Sequence, residues 1–165
     1  PAAAWTLVRR LDNGSPNTNS LAIYRRVASA AEPASHSWTF SLTTGSAGGI
    51  AAFVGVDSAT PIDVEDGQLT ASALTHTAPS LTMTTARCML FSAYGFASAS
   101  VWTPAPGMTA AINVASVTPE SAAGISICGS YELLVAAGAT GTRTATATSG
   151  ADVGNAAAVA LRRAP

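Results

Sequence analysis

Large apolar and hydroxylated side chains alternate along much of this chain. In residues 37–43, Trp38, Phe40 and Leu42 fall on one side, and Ser37, Thr39, Ser41 and Thr43 fall on the other. A period of two is the mark of a β-strand with one buried face. Residues 80–84 repeat the pattern, with Leu81 and Met83 set against Ser80, Thr82 and Thr84. Residues 48–56 are apolar on both sides and predict a strand covered on both faces. Further strands are predicted at 5–10, 21–27, 88–94, 110–117, 124–134, 142–148 and 156–161. Turn signals separate them: Asn13-Gly14, Glu32-Pro33 and the run Pro104 to Gly107. A long loop with Pro61 is expected from Asp57 to Ala78. Thr, Ser, Val and Gly interrupt the alanine-rich stretches and weaken helix formation, leaving helical turns only near 119–123 and 69–74. About ten short strands with Gly/Pro turns predict an all-β, mostly antiparallel β-sandwich of jelly-roll type, forming one domain over 1–165.

Composition sharpens this picture. Of 165 residues, 48% are hydrophobic, but 36 are alanine, so the apolar side chains are mostly small. The large core residues are expected to be Trp5, Leu7, Ile23, Trp38, Phe40, Ile50, Phe53, Leu81, Leu90, Ile112, Ile125, Ile127 and Leu161. So few large residues require strands bearing Ala and Gly to approach closely and complete the core. Charged residues are 10%, lysine is absent, and the net charge is −1. Eight scattered arginines make no phosphate-tracking field, which argues against a nucleic-acid partner. A membrane-spanning helix takes about 20 consecutive apolar residues. The longest candidate, 47–56, is half that and contains Gly48, Gly49 and Gly55, so no membrane insertion is expected. The Thr/Ser/Ala-rich surface suits an extracellular setting. The chain begins with Pro1 and shows no signal-peptide pattern, as expected of a processed chain or a piece of a longer one.

Several segments come in a recognisable order: residues 5–10, 21–28, 32–40, 47–57 with 61–63, 77–81, 106–109 and 138–147. Together they resemble a β-sandwich module of secreted and surface proteins of bacteria, especially actinobacteria, and of phage tail-fibre and other virion proteins. The resemblance covers nearly the whole chain. It implies a surface-displayed domain that packs against copies of itself or other structural proteins of a larger assembly, with no shared catalytic residue. It also implies two strands ahead of Trp5 and a glycine where this chain has Ala4. The domain is therefore expected to be trimmed of its N-terminal strands, or to take a strand from a neighbouring chain.

Candidate chemistry is sparse. His36 and His76 lack metal-ligand spacing, and residues 124–129 (Gly-Ile-Ser-Ile-Cys-Gly) are one residue too long for a nucleophile elbow around Ser126. Without lysine there is neither a phosphate-binding Gly-Lys-Ser/Thr loop nor a Lys–Asn isopeptide bond. Four of the nine acids, Asp57, Asp63, Glu65 and Asp66, fall within ten residues. Acidic loops at sandwich rims supply the hard oxygens that Ca²⁺ requires, so these four are the candidate calcium ligands. Trp102 is a candidate sugar-stacking platform, or a cap on the core. Alternation places Thr142, Thr144, Thr146 and Thr148 on one face of a strand, as a flat ligand-binding array or an ordinary solvent-facing strand. Three arginine doublets, 9–10, 25–26 and 162–163, either cover strand ends and pair with rim acids such as Asp12 or Glu32 or, on neighbouring strands, align into a positive row facing an acidic partner. Cys88 and Cys128 either pair as a disulfide or stay free as small buried hydrophobes. The leading expectation is a non-catalytic structural or attachment module on a virion or cell surface that needs no cofactor. The alternative is a glycan-binding module, assisted by Ca²⁺ or using Trp102.

Overall fold

The protein is represented by a computed structural model that describes residues 5–14, 19–40 and 45–165. Its centre is a five-stranded antiparallel sheet in the order β3 (Ile62–Ala73), β12 (Asp152–Leu161), β6 (Cys88–Phe96), β9 (Ser126–Leu134), β8 (Thr109–Ala115). On its inner face lie a three-stranded sheet, β4 (Thr75–Ala78), β11 (Arg143–Ala147) and β7 (Trp102–Thr103), and the short pair β5 (Thr82–Met83) with β10 (Gly138–Ala139). On its outer face lies the hairpin of β1 (Thr6–Asp12) and β2 (Ser20–Arg25). The fold is all-β and sandwich-like, and no helix occurs among the described residues.

The central sheet is covered on both faces, and that explains its sequence. In β12 the run Asn155 to Ala160 is buried throughout. Ala156, Ala158 and Ala160 face the inner core, while Ala157 meets Leu21 and Leu11 of the hairpin. A strand with two dry faces shows no apolar–polar alternation. Alanine suits it because a methyl group lets layers approach on either side. Residues Gly129 and Gly154 carry this further. A Cβ at Gly129 would lie 2.8 Å from the Phe91 ring, and one at Gly154 would lie 2.6 Å from His76 Nδ1.

The inner core is built around Trp102. Its ring stacks on Tyr94 at 6.0 Å and meets Phe96 edge-on at 5.4 Å, and His76 lies 5.6 Å away. The polar ends of these rings are satisfied: Trp102 Nε1 donates to Ser126 Oγ at 3.0 Å, and Tyr94 OH donates to the Arg143 carbonyl at 2.9 Å. Leu81, Met83, Cys88, Leu90 and Cys128 complete the cluster.

Several sequence-based expectations are corrected. The expected loop from Asp57 to Ala78 contains strands β3 and β4, and residues 69–74 are extended rather than helical for most of their length. The β3 backbone pairs with β12 and its carboxylates find cationic and hydroxyl partners, so its acidity does not keep it in a loop. Residues 119–123 form bends, with Ser121 bridged to Ala99. Residues 48–56 are not a buried strand; Ile50 and Val54 are exposed. Trp38 and Phe40 do not belong to a strand, and Ser41, Leu42 and Thr43 lie outside the described residues. Trp38 packs on Trp5 at 5.2 Å at the periphery, and Leu7, Phe40 and Ile50 are exposed rather than core.

Core position sets the cost of truncation. Trp102→Ala removes a ring that is 3% exposed and should destabilise by about 3–5 kcal/mol. Trp38→Ala, at a half-buried site, should cost less than about half of that. Urea unfolding of the two variants tests the assignment; equal losses would contradict it.

Candidate functional site

The four candidate calcium ligands are all engaged by groups of the protein itself. The Asp63 side chain is fully buried. It accepts hydrogen bonds from the Thr84 N–H and hydroxyl, both at 2.7 Å, from the Thr85 hydroxyl at 2.7 Å, and from Arg162 Nη2 at 2.9 Å. Burial alone would raise its pKa, but the hydroxyls of Thr85 and Thr84 and the Arg162 guanidinium outweigh it and hold the carboxyl well below the usual range. Glu65 receives Arg9 in two bonds, at 2.7 and 3.1 Å, clamping the hairpin to β3, and Asp66 lies 3.4 Å from the same guanidinium. Asp57 closes its own turn on the Ala59 N–H at 2.9 Å and the Thr60 hydroxyl at 2.7 Å. Among the described residues, no three His, Cys, Asp or Glu side chains converge on a cation position. The carboxylates offered as alternative calcium ligands serve as structural clamps, Glu65 and Asp66 on Arg9 and Asp63 on Arg162 and two threonines.

Trp102, expected as an exposed platform or a core cap, is wholly core. Its buried neighbours Ser98 and Ser100 explain the misreading, since both are polar residues that bury themselves through hydrogen bonds. Cys88 and Cys128 are both free. They sit on adjacent strands but out of register, Cys88 opposite Leu134 and Cys128 opposite Tyr94, so the geometry of a disulfide is absent. Burial pushes the Cys128 thiol up to about 11 and raises that of Cys88 as well. Ser126 sits between Trp102 and the Ser98 carbonyl, to which its hydroxyl donates at 2.7 Å. The threonine face of β11 is likewise internal in part, with Thr144 bonded to Thr77 at 2.8 Å.

The histidines also serve packing. His76 is fully buried, 2.5 Å from the Thr70 hydroxyl through Nδ1 and 3.1 Å from the Ala73 carbonyl through Nε2. This arrangement fits a neutral ring, with Nε2–H donating and Nδ1 accepting. Burial lowers its pKa, opposed by the Ala73 carbonyl and Asp152. His36 packs edge-on against Trp5 at 5.1 Å and lies 3.1 Å from Glu32, which also holds Arg26.

One surface remains open. A shallow groove crosses the outer face of the central sheet beside residues 51–56, floored by Met89, Tyr131, Leu133 and Leu161 and edged by Arg87, Arg162 and Arg163. Leu133 is 53% exposed, and Val54 is completely so. Of these arginines, Arg162 is paired with Asp63, whereas Arg87 and Arg163 make no ion pair with the described residues. Among the arginine doublets, Arg10 pairs with Asp12 and Arg26 with Glu32 as the rim-acid reading expects, and Arg9 and Arg162 are likewise taken up by acids of the chain rather than aligned into a row. Sequence reading singled out only Arg162 and Arg163 of the charged edge. The other contributors come from separate strands, and no local pattern joins them.

Two measurements check this account. Native protein should leave a thiol-specific chromophoric reagent unreacted, and denaturant should release both thiols; a thiol-free denatured chain would restore the disulfide. Because the folded pKa of His76 is depressed, the unfolded chain takes up its proton first as pH falls below about 6.5, and stability drops by up to about 1.4 kcal/mol per pH unit. The urea midpoint should therefore fall between pH 7 and 5.5, above the range in which carboxylates titrate, and His76→Gln should flatten that slope. Compared with known proteins, the chain matches no family model, no curated protein and no solved structure.

Proposed function

We propose that this protein is a non-catalytic structural or attachment module, displayed on a phage virion or bacterial cell surface, that works by packing its outer face against other structural proteins. The observation that carries this reading is the division between committed and free groups. All nine carboxylates accept hydrogen bonds within the chain. His76, Cys88, Cys128 and Ser126 are sealed in the core. The outer groove, in contrast, offers to solvent apolar side chains and two arginines, Arg87 and Arg163, that make no ion pair among the described residues. Apolar surface edged with arginine is the composition of a contact surface, and the low overall charge leaves few ions to desolvate where chains meet. The glycan reading loses support, because its stacking residue is buried and its acids hold the fold together.

The test is photo-cross-linking in cells that make the protein. A photoreactive residue at position 54 or 133 should yield covalent adducts with structural proteins of the surface or particle fraction. The same residue at position 146, exposed on β11 in the opposite layer, should not. Adducts from 146 alone, or none from 54 and 133, would refute the outer-face reading.

A further inference from the structure

We propose that residues 46–54 are one half of an intermolecular β-pair, and that the groove beside them takes an extended segment of another protein whose side chains alternate between apolar and acidic. This rests on the reading of the molecule as a contact module and names the chemistry of its partner. The stretch is held in place without pairing to the described residues. At its C-terminal end the Gly55 carbonyl accepts the Ala164 N–H at 2.8 Å, and Val56 bridges Arg163. Phe53 packs edge-on against Tyr131 at 5.5 Å and Phe91 at 6.0 Å. Gly49 lies so close to Ile112 that a Cβ would stand 2.7 Å from its side chain. Yet residues 46–54 make no backbone–backbone hydrogen bond with the described residues. Their burial alternates at 51–54, with Ala51 and Phe53 half-buried and Ala52 and Val54 exposed, as in a strand lacking a neighbour.

An extended segment already anchored loses little further freedom on pairing, so main-chain hydrogen bonds to an incoming strand are gained at low entropic cost. The groove floor supplies the second requirement. Met89, Leu133 and Leu161 are apolar residues that can receive every other side chain of a strand laid beside 51–56. Charge supplies the third. Arg87 and Arg163 at the groove edge make no ion pair with a described residue, and all nine Asp and Glu side chains are already hydrogen-bonded internally. A second copy would arrive with its acids committed in the same way. The complementary acids must therefore come from a different protein.

Fluorescence anisotropy on the purified chain tests this with labelled ten-residue peptides alternating valine with glutamate or valine with lysine. The glutamate peptide should bind saturably and at least about tenfold more tightly than the lysine peptide. Arg87→Glu combined with Arg163→Glu, both at exposed positions, should reverse that preference. A glutamate peptide N-methylated along both edges, and so unable to donate main-chain hydrogen bonds, should lose at least about tenfold in affinity. No binding, equal binding of the two charges, or indifference to N-methylation would overturn the proposal. If that happens while positions 54 and 133 still cross-link to surface proteins, the contact reading stands and strand pairing falls. If cross-linking fails as well, both fall.

Discussion

The central sheet must be dry on two faces, and the rest of the structure follows from that constraint. A domain with so few large side chains cannot fill a thick core. It compensates by thinning the layer in the middle, where β12 offers alanine to both sides and β6 alternates Leu90 and Tyr94 inward with Phe91 and Ala93 outward. The outer hairpin comes close enough for Leu21 and Leu11 to touch that layer. Trp102, Tyr94 and Phe96 then supply on one side the bulk that alanine lacks.

Polar groups are fitted to the same constraint. A thin core leaves hydroxyls and carboxylates near the interior, and each is stable there only when bonded. Asp63 illustrates the solution. Its buried carboxylate ties the β3 backbone to the turn ahead of β6 and to the residue following β12, so one side chain joins three parts of the chain. Arg9 with Glu65 does the same between hairpin and sheet. These clamps use up the acidity that an unfolded view of the sequence assigns to a cation. Among the described residues they also leave Arg87 and Arg163 without an ion pair at one edge of the outer groove.

That arrangement leaves an open groove on the outer face. The hairpin covers β12 and part of β6 but leaves β9 to a segment in which residues 46–54 pack through Phe53 and Gly49 yet form no backbone hydrogen bond with the described residues. An apolar strand left unpaired is an association hazard unless something is meant to pair with it. The arginines beside it bias what that something is, since like charges are repelled and carboxylates are drawn in.

The sequence by itself determined the all-β class, most strand positions and the antiparallel order, because a period of two and Gly/Pro turns are local signals. Strands expected at 88–94, 124–134, 142–148 and 156–161 are each found with changes at their ends, although β12, dry on both faces, carries no alternation and is marked only by the turns around it. Only the tertiary structure decided which face of each strand is dry. An alanine, serine or tryptophan carries no record of what will pack on it, so Trp38 and Trp102 exchange the expected roles of core and surface. The groove is drawn from residues 51–56, the turn at Arg87, four sheet strands and the tail at Arg163. Such a site exists only once distant segments are brought together, and no spacing along the chain could announce it.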